Sequence, residues 1–213
     1  FQSVPGSTEA RCAIIWWPQQ GRRLSVQMRC NLCASLDFAF YQGFKGEVLA
    51  RTFHESDLLV ADCLDRGYLD DLDPAALAAL VSVFVYEHRS SEAPPAPWFP
   101  SAEVRKKWRR IYSVSRELQA TEEAASLNQH RAPDPTYIAI AYAWAAGEGF
   151  AEVVEAEELS GGDFVRTMKQ LIDLLRQIGM MAPVPQTRRN AEAAADLLMR
   201  GVVAASTSVP GEI

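Results

Sequence analysis

The chain has 213 residues, of which 48% are hydrophobic and 23% are charged, a composition typical of one globular domain with a sizeable core. Its net charge of −6 excludes the basic proteins that wrap nucleic acid by overall charge, so any nucleic-acid contact requires a local patch. Because no apolar run reaches the roughly 20 residues of a membrane-spanning helix and no secretion signal is visible, we expect a cytoplasmic protein without membrane contact.

The first 45 residues differ from the rest of the chain. Residues 1–3 (FQS) resemble what remains after protease removal of an affinity tag, and we expect them to be foreign to the fold. In residues 4–45, two short apolar runs around Pro18 predict a β-hairpin. Cys30 and Cys33 form a lone C-x-x-C. The second Cys/His pair of a structural zinc site is missing, so we expect reduced thiols and no metal.

From residue 46 to residue 205 the sequence predicts helices almost throughout, with a flexible tail at 206–213. Asp73 and Asp134 each precede a proline, which is the pattern of an N-cap and a first helical residue. The helix predicted at 75–87 is apolar nearly all round and is therefore expected in the core. Further helices are predicted at 101–127, 136–146, 150–157 and 187–205. Another helix is predicted to begin at Asp163, which we expect to be its N-cap. We expect an all-α fold, a bundle of about six to seven helices.

Motifs for catalysis are missing from the sequence. It contains no phosphate loop of the G-x-x-x-x-G-K-[ST] type, no G-x-S-x-G nucleophile elbow and no H-E-x-x-H zinc helix. His54, His88 and His130 lie on separate elements without metal-ligand spacing, and each is expected at the surface or at a helix end. The chain by itself is therefore not expected to be an enzyme or to bind a cofactor.

The densest positive charge lies in the helix predicted after Ser101, where residues 105–110 read RKKWRR. Two interpretations remain open. The cations form a solvated helix face that Glu117, Glu122 and Glu123 balance, or they form a patch that follows nucleic-acid phosphates. A second polar cluster, described next, lies on a different helix.

Arg166, Lys169 and Gln170 fall on one side of the helix predicted from Asp163, because positions three and four apart are neighbours on a helix. The same helix has an apolar stripe that includes Phe164 and continues at Met168, Leu171, Ile172 and Leu175. From these residues alone, the cluster is the polar face of an amphipathic helix.

Five separate parts of the sequence, taken in order, resemble one known family. They are EVLAR with ESDLLVADCL (47–51 and 55–64), LDPAALAALVS with FVYE (72–82 and 84–87), YAWAAGEGF (142–150), GDFVR (162–166) and RGVVA (200–204). These strings resemble the C-terminal helical (DSHCT) domain of superkiller-type and exosome-type DEVH-box RNA helicases, and the last resembles the actinobacterial HelY-like branch. The resemblance covers residues 46–205 and implies that 4–45 is a divergent or truncated piece of the family's winged helix.

The resemblance implies that the parent proteins thread RNA in the 3′-to-5′ direction with ATP and Mg²⁺ bound in their motor domains, with no cofactor in this chain. It implies that this domain lines the exit channel for single-stranded RNA, or DNA. The implied partners are the motor domains of the same polypeptide and an RNA-degrading nuclease.

The base-contacting positions implied by the resemblance fall near His88 and on the face with Arg166 and Gln170, which Lys169 adjoins. Arg166 keeps a basic residue of the family. Gln170 replaces an arginine, and His88 replaces an acidic residue, that are frequent in eukaryotic members. Both replacements can still hydrogen-bond to bases or stack on them.

An alternative function is a helical module that binds another protein through the aromatic residues at 38–44, without contact to nucleic acid. A hydrolase is not expected, because the sequence offers no nucleophile, metal site or phosphate site.

Overall fold

The computed structural model describes residues 57–88, 94, 96–124, 126, 128–155 and 160–206, and these residues form an all-α fold, as predicted. The expected β-hairpin and the Cys30–Cys33 pair lie outside the described residues. No helix within the described ranges is long and apolar enough to cross a membrane. The eight α-helices of this part are α1 (Asp57–Asp65), α2 (Pro74–Val85), α3 (Ala102–Ala124), α4 (Ile138–Ala146), α5 (Phe150–Glu155), α6 (Gly161–Met181), α7 (Pro185–Leu198) and α8 (Gly201–Ala205).

Helix α2 forms the centre of the core. Every residue from Ala76 to Val85 is buried, and helices α4, α6 and α7 pack around it, together with the 3-10 turn Pro135–Tyr137 that leads into α4. The predicted start of α2 is confirmed: Oδ1 of Asp73 accepts a hydrogen bond from the backbone nitrogen of Ala76 at 3.0 Å. Proline follows as the first helical residue, where its missing N–H costs nothing.

Helices α6 and α7 pack side by side and are joined by three residues, 182–184, so they run in opposite directions. Their contact depends on Gly179. A Cβ atom at this position would lie 3.0 Å from Cγ of Glu192 and 3.5 Å from the carbonyl oxygen of Arg188. The missing side chain therefore allows the two helices to approach closely.

The loop after α3 is held against that helix by His130. Its Nδ1 lies 2.9 Å from Oε2 of Glu122, and its Nε2 lies 2.9 Å from Oγ of Ser115. The His130 side chain is only 9% exposed, so the prediction of a surface or helix-end position is wrong for this residue. Helix α3 ends at Ala124, before the predicted residue 127, and the chain folds back to bring His130 alongside.

The predicted cap of α6, Asp163, is wrong. Ser160 is the N-cap: its Oγ accepts from the backbone nitrogen of Asp163 at 3.1 Å and donates to Oδ2 of Asp163 at 2.7 Å. The helix therefore begins earlier, at Gly161. The Asp163 carboxylate lies in the first turn, where the helix dipole favours negative charge.

The single helix predicted at 187–205 is also wrong, because the chain leaves the helix after Leu198 and α8 begins at Gly201. Arg200 is extended there. Its Nη2 donates to the carbonyl oxygens of Trp144 and Glu148 at 2.6 Å each, and its guanidinium carbon lies 3.6 Å from the centre of the Trp144 ring. The Trp144 indole donates to the Leu198 carbonyl at 3.0 Å. The break thus lets one arginine bind two carbonyl groups at and just beyond the end of α4.

Tyr137 is fully buried between the end of α2 and α6. Its ring stacks on Tyr86 with centroids 4.6 Å apart. Its hydroxyl lies beside Thr167 and makes no hydrogen bond of standard geometry with the described residues. Burial, with a contribution from Tyr86, raises the pKa of this phenol well above its usual range, so the hydroxyl stays neutral.

We expect Arg200→Ala to lower the free energy of unfolding by about 2 kcal/mol, because it removes charge-assisted hydrogen bonds and a cation–π contact. Arg200→Lys should recover only part of this loss, since an ammonium group cannot reproduce the planar fork of donors. Urea unfolding followed by circular dichroism measures both. Equal stability of wild type and Arg200→Ala would contradict the structural role of this residue.

We expect Tyr137→Phe to raise the free energy of unfolding by about 1 kcal/mol, because it keeps the ring stack and removes a buried hydroxyl that makes no hydrogen bond of standard geometry with the described residues. Tyr142→Phe, at a half-buried position on α4, serves as the control and should change little. A loss of stability in Tyr137→Phe would mean that the hydroxyl is satisfied in solution.

Candidate nucleic-acid interface

Three of the four predicted contact residues lie on the outer side of α6. Arg166 and Gln170 are exposed, and Lys169 is half-buried. The opposite side forms the core, and the predicted amphipathic pattern is confirmed. The predicted core positions are all buried, namely Phe164, Met168, Leu171, Ile172 and Leu175.

The charges on this side of α6 are mixed. Nη2 of Arg166 lies 3.4 Å from Oδ1 of Asp163, in an ion pair whose side chains are 67% and 59% exposed. Such a surface pair contributes between zero and about 1 kcal/mol, so Arg166 can exchange it for a ligand at little cost. Nζ of Lys169 donates to the carbonyl oxygen of Ser206 at 3.1 Å, and Asp173 is exposed one turn further on. Because positive and negative charges are mixed on this surface, it is better suited to hydrogen bonding with bases than to binding a row of phosphates.

His88 lies three residues beyond the end of α2 and is half-buried. Its backbone nitrogen donates to Oδ2 of Asp134 at 2.7 Å, while Oδ1 of the same carboxylate accepts from the nitrogen and the hydroxyl of Thr136 at 2.9 and 2.6 Å. Nη2 of Arg131 donates to the Phe84 carbonyl at 2.7 Å. The loop before α4 thus caps α2 and fixes the position of His88.

Two aromatic side chains connect the chain segment just after α2 to the buried side of α6. Tyr86, two residues before His88, stacks on Tyr137, and the Tyr137 hydroxyl lies beside Thr167. Thr167 is buried on the core side of α6, whereas Arg166, the residue before it, is exposed. Helices α2 and α6 are therefore neighbours in the fold, with His88 beyond the end of α2 and Arg166 on the outer side of α6.

Two structural features of this region do not follow from the sequence pattern. The Asp134–Pro135 pair indicated a helix cap, but nothing in the spacing indicated that the same carboxylate holds a backbone group 46 residues earlier in the chain. Tyr137 carried no signal beyond being an apolar residue at a helix start. Both features depend on tertiary contacts between α2 and the loop before α4.

The side chains predicted for this site offer groups suited to binding. Guanidinium, amide and imidazole groups provide hydrogen-bond donors and acceptors and flat surfaces for stacking. Within the part of the chain that the structure describes, no group of three or more His, Cys, Asp or Glu side chains is arranged to hold a metal ion.

Comparison with known proteins identifies the family to which the sequence is similar. The model of the DSHCT (NUC185) domain matches residues 42–206. The chain is 37% identical over 169 residues to "Probable helicase HelY" of Mycobacterium tuberculosis (strain ATCC 25618 / H37Rv) and 38% identical over 169 residues to that of Mycobacterium leprae (strain TN), with 75% of this chain covered in each case. It is 29% identical over 138 residues to "Exosome RNA helicase MTR4" of Homo sapiens, with 63% covered.

The chain spans only a small part of these relatives, which are much longer. It corresponds to 19% of the Mycobacterium tuberculosis protein, 18% of the Mycobacterium leprae protein and 13% of the human protein. The family match covers most of the chain and agrees with the helical fold described above. The chain therefore belongs to the DSHCT (NUC185) domain family.

Proposed function

We propose that this chain acts as the C-terminal accessory domain of an ATP-dependent, 3′-to-5′ RNA helicase and contacts the single strand that leaves the motor. The family match and the helicase names of the relatives support this proposal. The observation that carries it is the exposed side of α6, with Arg166 and Gln170, on a helix that packs against α2. His88 follows α2 three residues after its last residue.

The chemistry of these residues fits unstacked bases. Arg166 offers a planar guanidinium and Gln170 an amide with both donors and acceptors, so either can bind a base edge. His88 offers an imidazole that can stack or hydrogen-bond. These contacts hold a strand without a strong preference for sequence, as threading requires.

The acidic net charge of the chain is compatible with this role. We propose that the motor domains of the parent polypeptide bind ATP and Mg²⁺ and neutralise most RNA phosphates, while this domain forms one wall of the exit path. An RNA-degrading nuclease is the expected partner downstream, because a strand threaded 3′ to 5′ is presented for degradation.

A second candidate function is a protein-binding module. Exposed apolar side chains at the turn between α6 and α7 favour it, since Met180 is 67% exposed and Val184 is 36% exposed. The aromatic residues at 38–44 lie outside the described residues. Elution of the chain as a dimer or a hetero-complex, with no effect on RNA, would favour this function.

We expect the double substitution Arg166→Ala and Gln170→Ala in the full-length parent to lower RNA-stimulated ATP hydrolysis and unwinding about tenfold. The physical reason is the loss of charge-assisted hydrogen bonds to bases, of about 1.4 kcal/mol in total. ATP hydrolysis without RNA should not change, because the motor residues are untouched.

The control for this experiment is Arg188→Ala with Arg189→Ala, two exposed arginines on α7. This variant should unwind RNA like wild type. Unchanged unwinding by the Arg166/Gln170 variant would refute the proposed role of α6.

A further inference from the structure

Helix α3 presents a second face that the proposed function does not use. Arg105, Arg109, Tyr112 and Arg116 follow the spacing i, i+4, i+7 and i+11, which places them on one side of the helix. All four are exposed, and they extend over about 16 Å at 1.5 Å per residue. The opposite side is fixed in the core, since Val104, Ile111, Val114 and Leu118 are buried. We call the exposed face, with Trp108 at its edge, the α3 arginine stripe.

The charge of this stripe is not neutralised by its neighbours. Among the described residues, no carboxylate lies within ion-pair distance of Arg105, Arg109 or Arg116. The nearby carboxylates have other partners: Glu103 lies 4.0 and 3.9 Å from the ammonium groups of Lys106 and Lys107, Glu117 pairs with Arg66, and Glu122 binds His130. The third glutamate that the sequence offered as a counter-charge, Glu123, accepts a hydrogen bond from the side-chain amide of Gln129 at 3.4 Å. All three of these glutamates, Glu117, Glu122 and Glu123, therefore have partners other than the arginines of the stripe.

The other cations of the RKKWRR string do not belong to the stripe. Lys107 is only 5% exposed and points into the protein. The guanidinium carbon of Arg110 lies 5.7 Å from the centre of the Tyr68 ring, on another side of α3. Within the RKKWRR string, Lys107 and Arg110 therefore contact the protein itself, whereas Arg105 and Arg109 belong to the exposed stripe.

Aromatic rings alternate with the arginines along the stripe. The Trp108 and Tyr112 rings lie 5.7 Å apart, between Arg105 and Arg116, and Tyr112 is 45% exposed. The guanidinium of Arg105 lies 5.3 Å above the Phe99 ring, which restricts its position. Guanidinium groups bind phosphates in a bidentate manner, and exposed rings stack on bases.

We propose that the α3 arginine stripe is a second binding site for single-stranded nucleic acid, separate from the outer side of α6. Arg105, Arg109 and Arg116 bind successive phosphates, and Tyr112 stacks on a base between them. Among the described residues, no carboxylate pairs with the three arginines of the stripe, whereas on the α6 side Arg166 is paired with Asp163. This inference rests on the proposed function in one respect, the expectation that single-stranded nucleic acid reaches the domain.

The test uses the full 213-residue chain and a short labelled oligouridine, with fluorescence anisotropy at several salt concentrations. Arg109→Gln with Arg116→Gln removes two phosphate contacts, so the slope of log affinity against log salt should flatten by about 1.4. Tyr112→Ala should weaken binding roughly five- to 150-fold and leave the salt slope unchanged, since stacking contributes about 1–3 kcal/mol.

Matched controls separate this site from general charge effects. Arg188→Gln with Arg189→Gln changes the net charge equally and should keep the wild-type slope. Arg109→Lys with Arg116→Lys retains the charges and should also keep the slope. Thermal unfolding of each variant checks that these exposed substitutions leave the fold intact.

Several results would overturn the inference. They are wild-type binding by the Arg109/Arg116 variant, an equal loss in the Arg188/Arg189 control, and no binding of oligouridine by the wild-type chain at low salt. Displacement of oligouridine by polyglutamate at equal charge concentration would identify an acidic protein segment as the ligand instead. Binding that is lost only in the Arg166/Gln170 variant would refute the α3 site and leave the proposed function standing.

Discussion

The fold depends on the burial of a helix that has no polar side. Because α2 is apolar around its whole circumference, it can exist only when other helices cover it completely. Helices α4, α6 and α7 provide that cover, and their outward sides become the surface of the domain. The position of His88 follows from the same constraint, since it is the point at which the chain leaves the core and its backbone must find new partners, here Asp134.

The domain distributes its polar chemistry over two helices with different character. On α6 the exposed charges alternate in sign, so the surface offers directed hydrogen bonds and little net attraction for an anion. On α3 three arginines, Arg105, Arg109 and Arg116, share one exposed side, while nearby carboxylates bind lysines, Arg66 and His130. The net charge of the chain is −6, but its positive charges are unevenly distributed over the surface. For a polyanionic ligand, the local positive charge matters more than the net charge.

The parts of this structure that follow from local patterns were predictable from the sequence. The all-α class, the burial of α2, its Asp73 cap and the outward position of Arg166 and Gln170 all follow from apolar periodicity and capping preferences. The start of α6 was misplaced because Gly161 and Gly162 are poor helix formers, and only the reciprocal bonds of Ser160 and Asp163 offset them. The break at Arg200 depends on Trp144, and the contact between the segment after α2 and the buried side of α6 depends on Tyr137. Both residues act through contacts between distant parts of the chain.

The hydrogen bonds around His130 have a consequence for how function is assigned from geometry. The order Ser115, His130, Glu122, with 2.9 Å between successive partners, is the connectivity of a serine hydrolase triad. Yet Ser115 has no exposed surface, so no acyl group can reach its oxygen. The triad arrangement here is a means of anchoring a loop. The same three residue types can therefore serve catalysis or loop anchoring, and the solvent access of the serine oxygen distinguishes the two.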